Sequence, residues 1–162
     1  CTPPQRRPAV PADFAALRSA LRHSRSGDTV EVSPGTYGGT DNTALHFYGQ
    51  EVTLESPSGP EAVTVSCAGL DNVRGLQIIQ QSGWSPETTR TAMNGVTVST
   101  CGSPSVLGGG MVIMRAGLTI THSRIADNAA LAGAGLYLQD GHVVIQHVAF
   151  TNNKAEQNGG AG

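Results

Sequence analysis

Laid over itself with an offset of 25 residues, the chain places GMVIMRAGLTITHSRIADNAA (110–130) on GLYLQDGHVVIQHVAFTNNKA (135–155) without a gap. Leu118 falls on Val143, Ile120 on Ile145, His122 on His147, Ile125 on Phe150, Asn128 on Asn153 and Ala130 on Ala155. A period of this length holding several short apolar strings belongs to a solenoid, in which each repeat is one coil that cannot bury its apolar face alone. This self-overlap excludes most other ways of folding the chain.

The same kind of string recurs upstream. VEVS, VTLE, LQII, VTVS, LTIT and VVIQ begin at residues 30, 52, 76, 96, 118 and 143. Each has aliphatic residues first and third, so the two-residue period of a strand turns them to one face. VTVS also occurs at 63–66. Further strands are expected at 62–67, 111–114 and 136–138. Hairpin chemistry is nearly missing, since only Asn94-Gly95 could join two adjacent strands tightly. The expectation is an all-β, right-handed parallel β-helix, because parallel crossovers are right-handed in almost all cases.

In this reading Val30, Val52, Leu76, Val96, Leu118 and Val143 form one inner column, with Ile120 and Ile145 among the partners beside it. Each fully buried member contributes roughly 1.5–3 kcal/mol. Asn128 and Asn153 stack as an amide ladder. Glycines at 108–110, 133–135 and 159–160 let the chain turn between faces. Residues 1–10 read as a lead-in and 11–27 as a capping helix, with Asp13 as N-cap and Phe14, Leu17 and Leu21 on its buried stripe. Residues 28–162 read as coils that continue beyond 162. The aromatic content of 4% leaves the core to Val, Ile, Leu and Ala.

Two motif pairs carry a family resemblance: GGGM at 108–111 with GAGL at 133–136, and IADN at 125–128 with FTNN at 150–153. Together with the opening segment GDTVEVSPGTYGG they resemble the polymorphic outer membrane protein repeat of bacterial, algal and protist surface proteins. Ile125 stands where that repeat has Phe, Ala134 interrupts one Gly pair, and His122 and His147 occupy positions where Asn is common. The resemblance implies a β-helix with an adhesive, scaffold or assembly role outside the cell or at a ciliary membrane. Its implied partners are proteins at the cell surface or on an extracellular filament, a channel ectodomain among them, with glycan contact as a further option. It brings no catalytic residues.

The side-chain chemistry agrees with a non-catalytic, cofactor-free reading. Charged residues are 14% of the chain and the net charge is −2, which gives no footprint for nucleic acid. Glycoside hydrolysis needs two carboxylates facing one cleft, and a Ca²⁺-dependent lyase needs a carboxylate cluster. The twelve acids here are scattered. Glu31 and Glu55 are expected on one side, two columns apart, as solvated surface. A carbohydrate-active β-helix is the alternative. Stacked His122 and His147 offer two metal ligands without a third. Arg115 and Asp140 are expected as an exposed ion pair. Outward Thr97, Ser99, Thr119 and Thr121 form too broken an array for ice binding. Trp84 and Pro86, in the longest interruption of the repeat, are candidate interface residues. Cys67 and Cys101 are either small buried hydrophobes or a disulfide formed in an oxidising compartment, with Cys1 paired outside the chain.

Overall fold

The computed structural model describes residues 5–79 and 90–157. In chain order the elements are β1 (Ala9–Val10), α1 (Leu17–His23), β2 (Thr29–Val32), β3 (Gly35–Tyr37), β4 (Thr53–Glu55), β5 (Val63–Ser66) and β6 (Leu76–Ile79). Then come β7 (Ala92–Asn94), β8 (Thr97–Ser99), β9 (Met111–Met114), β10 (Gly117–Thr121), β11 (Arg124–Ala126) and β12 (Ala129–Ala130). The last are β13 (Leu136–Gln139), β14 (His142–Gln146), β15 (Ala149–Thr151) and β16 (Lys154–Ala155).

Every ladder among these strands is parallel, and each face of the coil is one sheet. The six-stranded face runs β1-β2-β4-β7-β10-β14, the five-stranded face β3-β5-β8-β11-β15, and the three-stranded face β6-β9-β13. β12 and β16 make a short corner sheet. This is a parallel β-helix.

The 25-residue overlap holds residue by residue. Leu118 pairs with Val143, Ile120 with Ile145, Ile125 with Phe150 and Ala130 with Ala155. The two VTVS strings also stack on each other, Val65 against Val98 and Ser66 against Ser99. Farther upstream the register differs from the expected column. Val30 pairs with Leu54, not Val52, and that column continues through Met93 to Ile120 and Ile145. Val52 lies beside it, in line with Leu118 and Val143, because Thr53 pairs with Ala92 and Ala92 with Thr119. Leu76 belongs to the three-stranded face, where it pairs with Met111. Val96 directly precedes β8 on the five-stranded face. The expected column therefore mixes three faces. Val30, Val52, Leu76, Val96, Leu118 and Ile120 are nonetheless all buried.

The physical reason is a degeneracy. A two-residue shift preserves which side chains point inward, and every face of the coil carries the same aliphatic-x-aliphatic code. Apolar alternation thus reports burial but not face or exact register.

The helix is shorter than expected. It buries Leu17, Ala20 and Leu21, and its N-cap is Ala16, which makes no side-chain cap. Asn42 supplies the missing acceptor, taking the Leu17 N–H at 2.9 Å on Oδ1. Asp13 instead accepts the Ala9 N–H at 2.8 Å, closing the turn after β1. β1 itself lies within the segment read as a lead-in and pairs with β2, Val10 against Val32.

At the other end, burial fades. Ile120 is fully buried, whereas Ile145 on the next rung is 45% exposed, as is Leu138. No described strand stacks on β14 beyond β10.

Candidate functional site

The most ordered polar feature lies on the outer wall of the six-stranded face. Side chains there alternate with the buried column, so Glu31, Glu55, Asn94, Thr121 and Gln146 fall in one outward line. Glu31 and Glu55 are directly paired neighbours, not two columns apart. Like charges directly opposite on adjacent strands repel, and Arg7 resolves the conflict by pairing with both. Glu55 then accepts the Asn94 Nδ2–H at 3.1 Å, and Asn94 Oδ1 accepts the Thr121 hydroxyl at 3.0 Å. The result is a hydrogen-bonded ladder from Arg7 to Thr121 across four rungs.

Sequence reasoning overlooked Arg6 and Arg7. A usable signal was present: two glutamates one coil apart call for a cation between them, and the nearest unassigned ones precede β1. Arg6 has a parallel task, since its guanidinium pairs with Asp28 and also donates to the His23 carbonyl. The Asp28 carboxylate further accepts the backbone N–H of Arg6 at 3.1 Å and of Arg25 at 2.8 Å. These bonds tie the lead-in to the turn between α1 and β2.

Burial by itself would raise the Asp28 pKa. The Arg25 N–H, the Arg6 guanidinium and N–H, and the Arg6 charge outweigh it, and the carboxyl lies below its ordinary 3.8. His46 is pushed below its ordinary 6.5, first by burial and then by the charge of Arg18. Both groups bind protons less well folded than unfolded, so stability rises with pH. The His46 contribution is complete above 6.5 and is lost as pH falls through its lower folded value. That of Asp28 is complete above 3.8 and is lost at still lower pH. Thermal melts from pH 7.5 to 2.5 should therefore show two declines, one starting below 6.5 and absent in His46→Gln, the other starting below 3.8 and absent in Asp28→Asn. A flat profile between pH 7 and 5 in the unmodified chain would remove His46 from this account.

The remaining sequence-derived sites fare differently. Asn128 and Asn153 do form a buried ladder: Asn128 Nδ2 donates to Asn153 Oδ1 at 2.9 Å. Cys67 and Cys101 form a disulfide with Cα atoms 4.7 Å apart, linking neighbouring rungs. His122 and His147 stack with ring centroids 5.0 Å apart at exposed corners, both in the left-handed backbone region. Among the described residues no group of three or more His, Cys, Asp or Glu side chains could hold a metal ion. Arg115 and Asp140 sit at matching left-handed corners, but they are not among the ion pairs of the described residues. With Ile79, Met114 and Gln139 they line a small cleft of about 160 Å³. Trp84 and Pro86 lie outside the described residues. No family model matches this chain, and no match was found among curated proteins or solved structures.

Proposed function

We propose that the chain is a non-catalytic, extracellular structural and protein-interaction domain of the kind the polymorphic outer membrane protein repeat builds. It serves surface assembly or adhesion. Its partners are proteins at the cell surface or along an extracellular filament, with a ciliary membrane channel ectodomain as one such partner.

The observation that carries this reading is the ladder Arg7–Glu55–Asn94–Thr121 on the outer wall. Solenoids bind through extended, regular surfaces. Side chains already fixed by one another lose little freedom when a partner arrives, so more of the contact energy appears as affinity. The Cys67–Cys101 disulfide supports the extracellular placement, because such bonds persist in oxidising compartments.

The test compares proteins retained from the native cell surface by the unmodified chain, by Glu55→Lys/Thr121→Lys, and by Thr64→Lys on the five-stranded face. We expect a defined set retained by the first and third and lost from the second. Equal retention by all three would refute the role of the wall. Release of shorter sugars from uronic-acid polymers, with or without Ca²⁺, would favour the carbohydrate-active alternative.

A further inference from the structure

Beside the ladder, at the margin where the rungs of the six-stranded face begin, lies a groove of about 500 Å³. Its floor is Thr29 and Thr53, directly paired on adjacent rungs. It is lined by the turn after α1, with Arg25, Ser26 and Gly27, by Glu51, which is hydrogen-bonded to that turn at 2.8 and 3.1 Å, and by Arg90. Gly27 has φ +93°, and a Cβ there would meet only the end of the Gln5 side chain, at 3.9 Å. No other described residue closes this notch.

The charges in this groove are unevenly satisfied. Asp28 is engaged by Arg6 and by two backbone N–H groups. Arg25 and Arg90 are exposed, and neither guanidinium has an ion-pair or hydrogen-bond partner among the described residues. The Glu51 carboxylate is likewise in no ion pair among them; its backbone N–H is taken by the Ser26 hydroxyl and its carbonyl accepts the Gly27 N–H. The Thr29 and Thr53 hydroxyls and the Gln5 amide border the same space.

Two guanidinium forks match a carboxylate, which each can bind bidentately. A lone carboxylate or free amide offers few groups to the Glu51 carboxylate, the threonine hydroxyls or the Gln5 amide. A pyranose ring bearing one carboxylate offers hydroxyls that both donate and accept, so it answers the whole set. The volume is in the range of small-molecule sites and exceeds the need of a simple anion. A neutral sugar would leave both arginines without a counter-charge, and an acidic peptide side chain would bring a carboxylate but no hydroxyls to Glu51 and the threonines.

We propose that this groove binds a uronic-acid residue of an acidic polysaccharide, through Arg25 and Arg90 on its carboxylate and Glu51, Thr29 and Thr53 on its hydroxyls. This goes beyond protein assembly, since the wall would hold a protein and its margin a matrix glycan.

The test is calorimetric titration of the full chain with tetragalacturonate, maltotetraose and hexaglutamate at low salt. Saturable binding is expected for the first alone, weakening as salt rises. R25Q and R90Q should each weaken it by at least about tenfold, the loss of one charge-assisted contact. Both residues are exposed and their guanidinium groups are unpaired among the described residues, so the melting temperatures should not change. Asn94→Ala/Thr121→Val, which breaks the ladder without changing its charge, should bind the tetrasaccharide as before, which keeps this result separate from the fate of the protein-binding wall. No binding of tetragalacturonate, binding indifferent to both arginine substitutions, or equal binding of hexaglutamate would each overturn the proposal.

Discussion

Asn128→Leu is expected to destabilise the chain by about 4 kcal/mol. Asn128 is buried to 1% exposure and serves three groups. Its Oδ1 accepts the Cys101 N–H at 3.0 Å, and its Nδ2 donates to the Val98 carbonyl at 3.3 Å and to Asn153 Oδ1 at 2.9 Å. Leucine is close in size but offers neither atom, so an N–H and a carbonyl at a buried corner lose their partner. Each such orphan costs about 1–3 kcal/mol. Leucine's tetrahedral Cγ and bulkier methyl groups add strain where the amide is flat, because Gly110 lies so close that a Cβ on it would meet Asn128 Nδ2 at 2.9 Å and the Gly135 carbonyl at 2.7 Å. At roughly 2–4 °C per kcal/mol for a chain of this size, the melting temperature should fall by roughly 8–16 °C. Asn153→Leu should also destabilise, since Asn153 Oδ1 accepts the Asn128 N–H at 3.2 Å as well as the Asn128 Nδ2–H. Its Nδ2 serves the Ile125 carbonyl at 2.9 Å. Urea unfolding checks both variants. A loss below about 1 kcal/mol at Asn128 would mean that the amide ladder decorates the corner without holding it.

That ladder also shows what was legible in the sequence. The 25-residue overlap aligned Asn128 with Asn153, and glycines 25 residues apart leave room for the amides. Gly110 crowds Asn128, and a Cβ on Gly135 would meet Asn153 Nδ2 at 3.1 Å. Where repeat length is constant, position in the repeat gives position in space. Upstream it is not constant. Val30 and Leu54 are one rung apart, and so are Leu54 and Met93, although the second interval is far longer. Strings from different faces then fall at deceptively regular spacings, which drew Leu76 and Val96 into a column they do not share.

The outer wall was harder to foresee, for a different physical reason. Burial imposes a pattern on every inward residue, but outward residues answer only to their neighbours, and those are fixed by register. An error of two residues between β2 and β4 leaves the core pattern intact yet separates Glu31 from Glu55, and with them goes the reason for Arg7. The groove depends on that same register, because Gly27, Glu51 and Arg90 meet only when Thr29, Thr53 and Ala92 are aligned.

Removing the disulfide, by Cys67→Ala/Cys101→Ala or by reduction, is expected to cost about 4 kcal/mol. The bond closes a loop with a sequence separation of 34 residues. Chain-entropy arithmetic for a loop of that length gives this magnitude, exerted chiefly by restricting the unfolded chain. The corresponding fall in melting temperature is roughly 8–16 °C. Because the cross-link makes the unfolded ensemble more compact, its removal should also steepen the dependence of stability on urea, which a mere loss of packing would not do. Both cysteines are 1% exposed, so reductant should act on the native chain only as fast as the corner opens. Reduction should therefore be slow in buffer and rapid in urea near the midpoint. Thiol counting during the same experiment ties the stability change to the bond. Equal midpoints with and without reductant, with both thiols counted as free, would show that the two rungs are held by stacking alone.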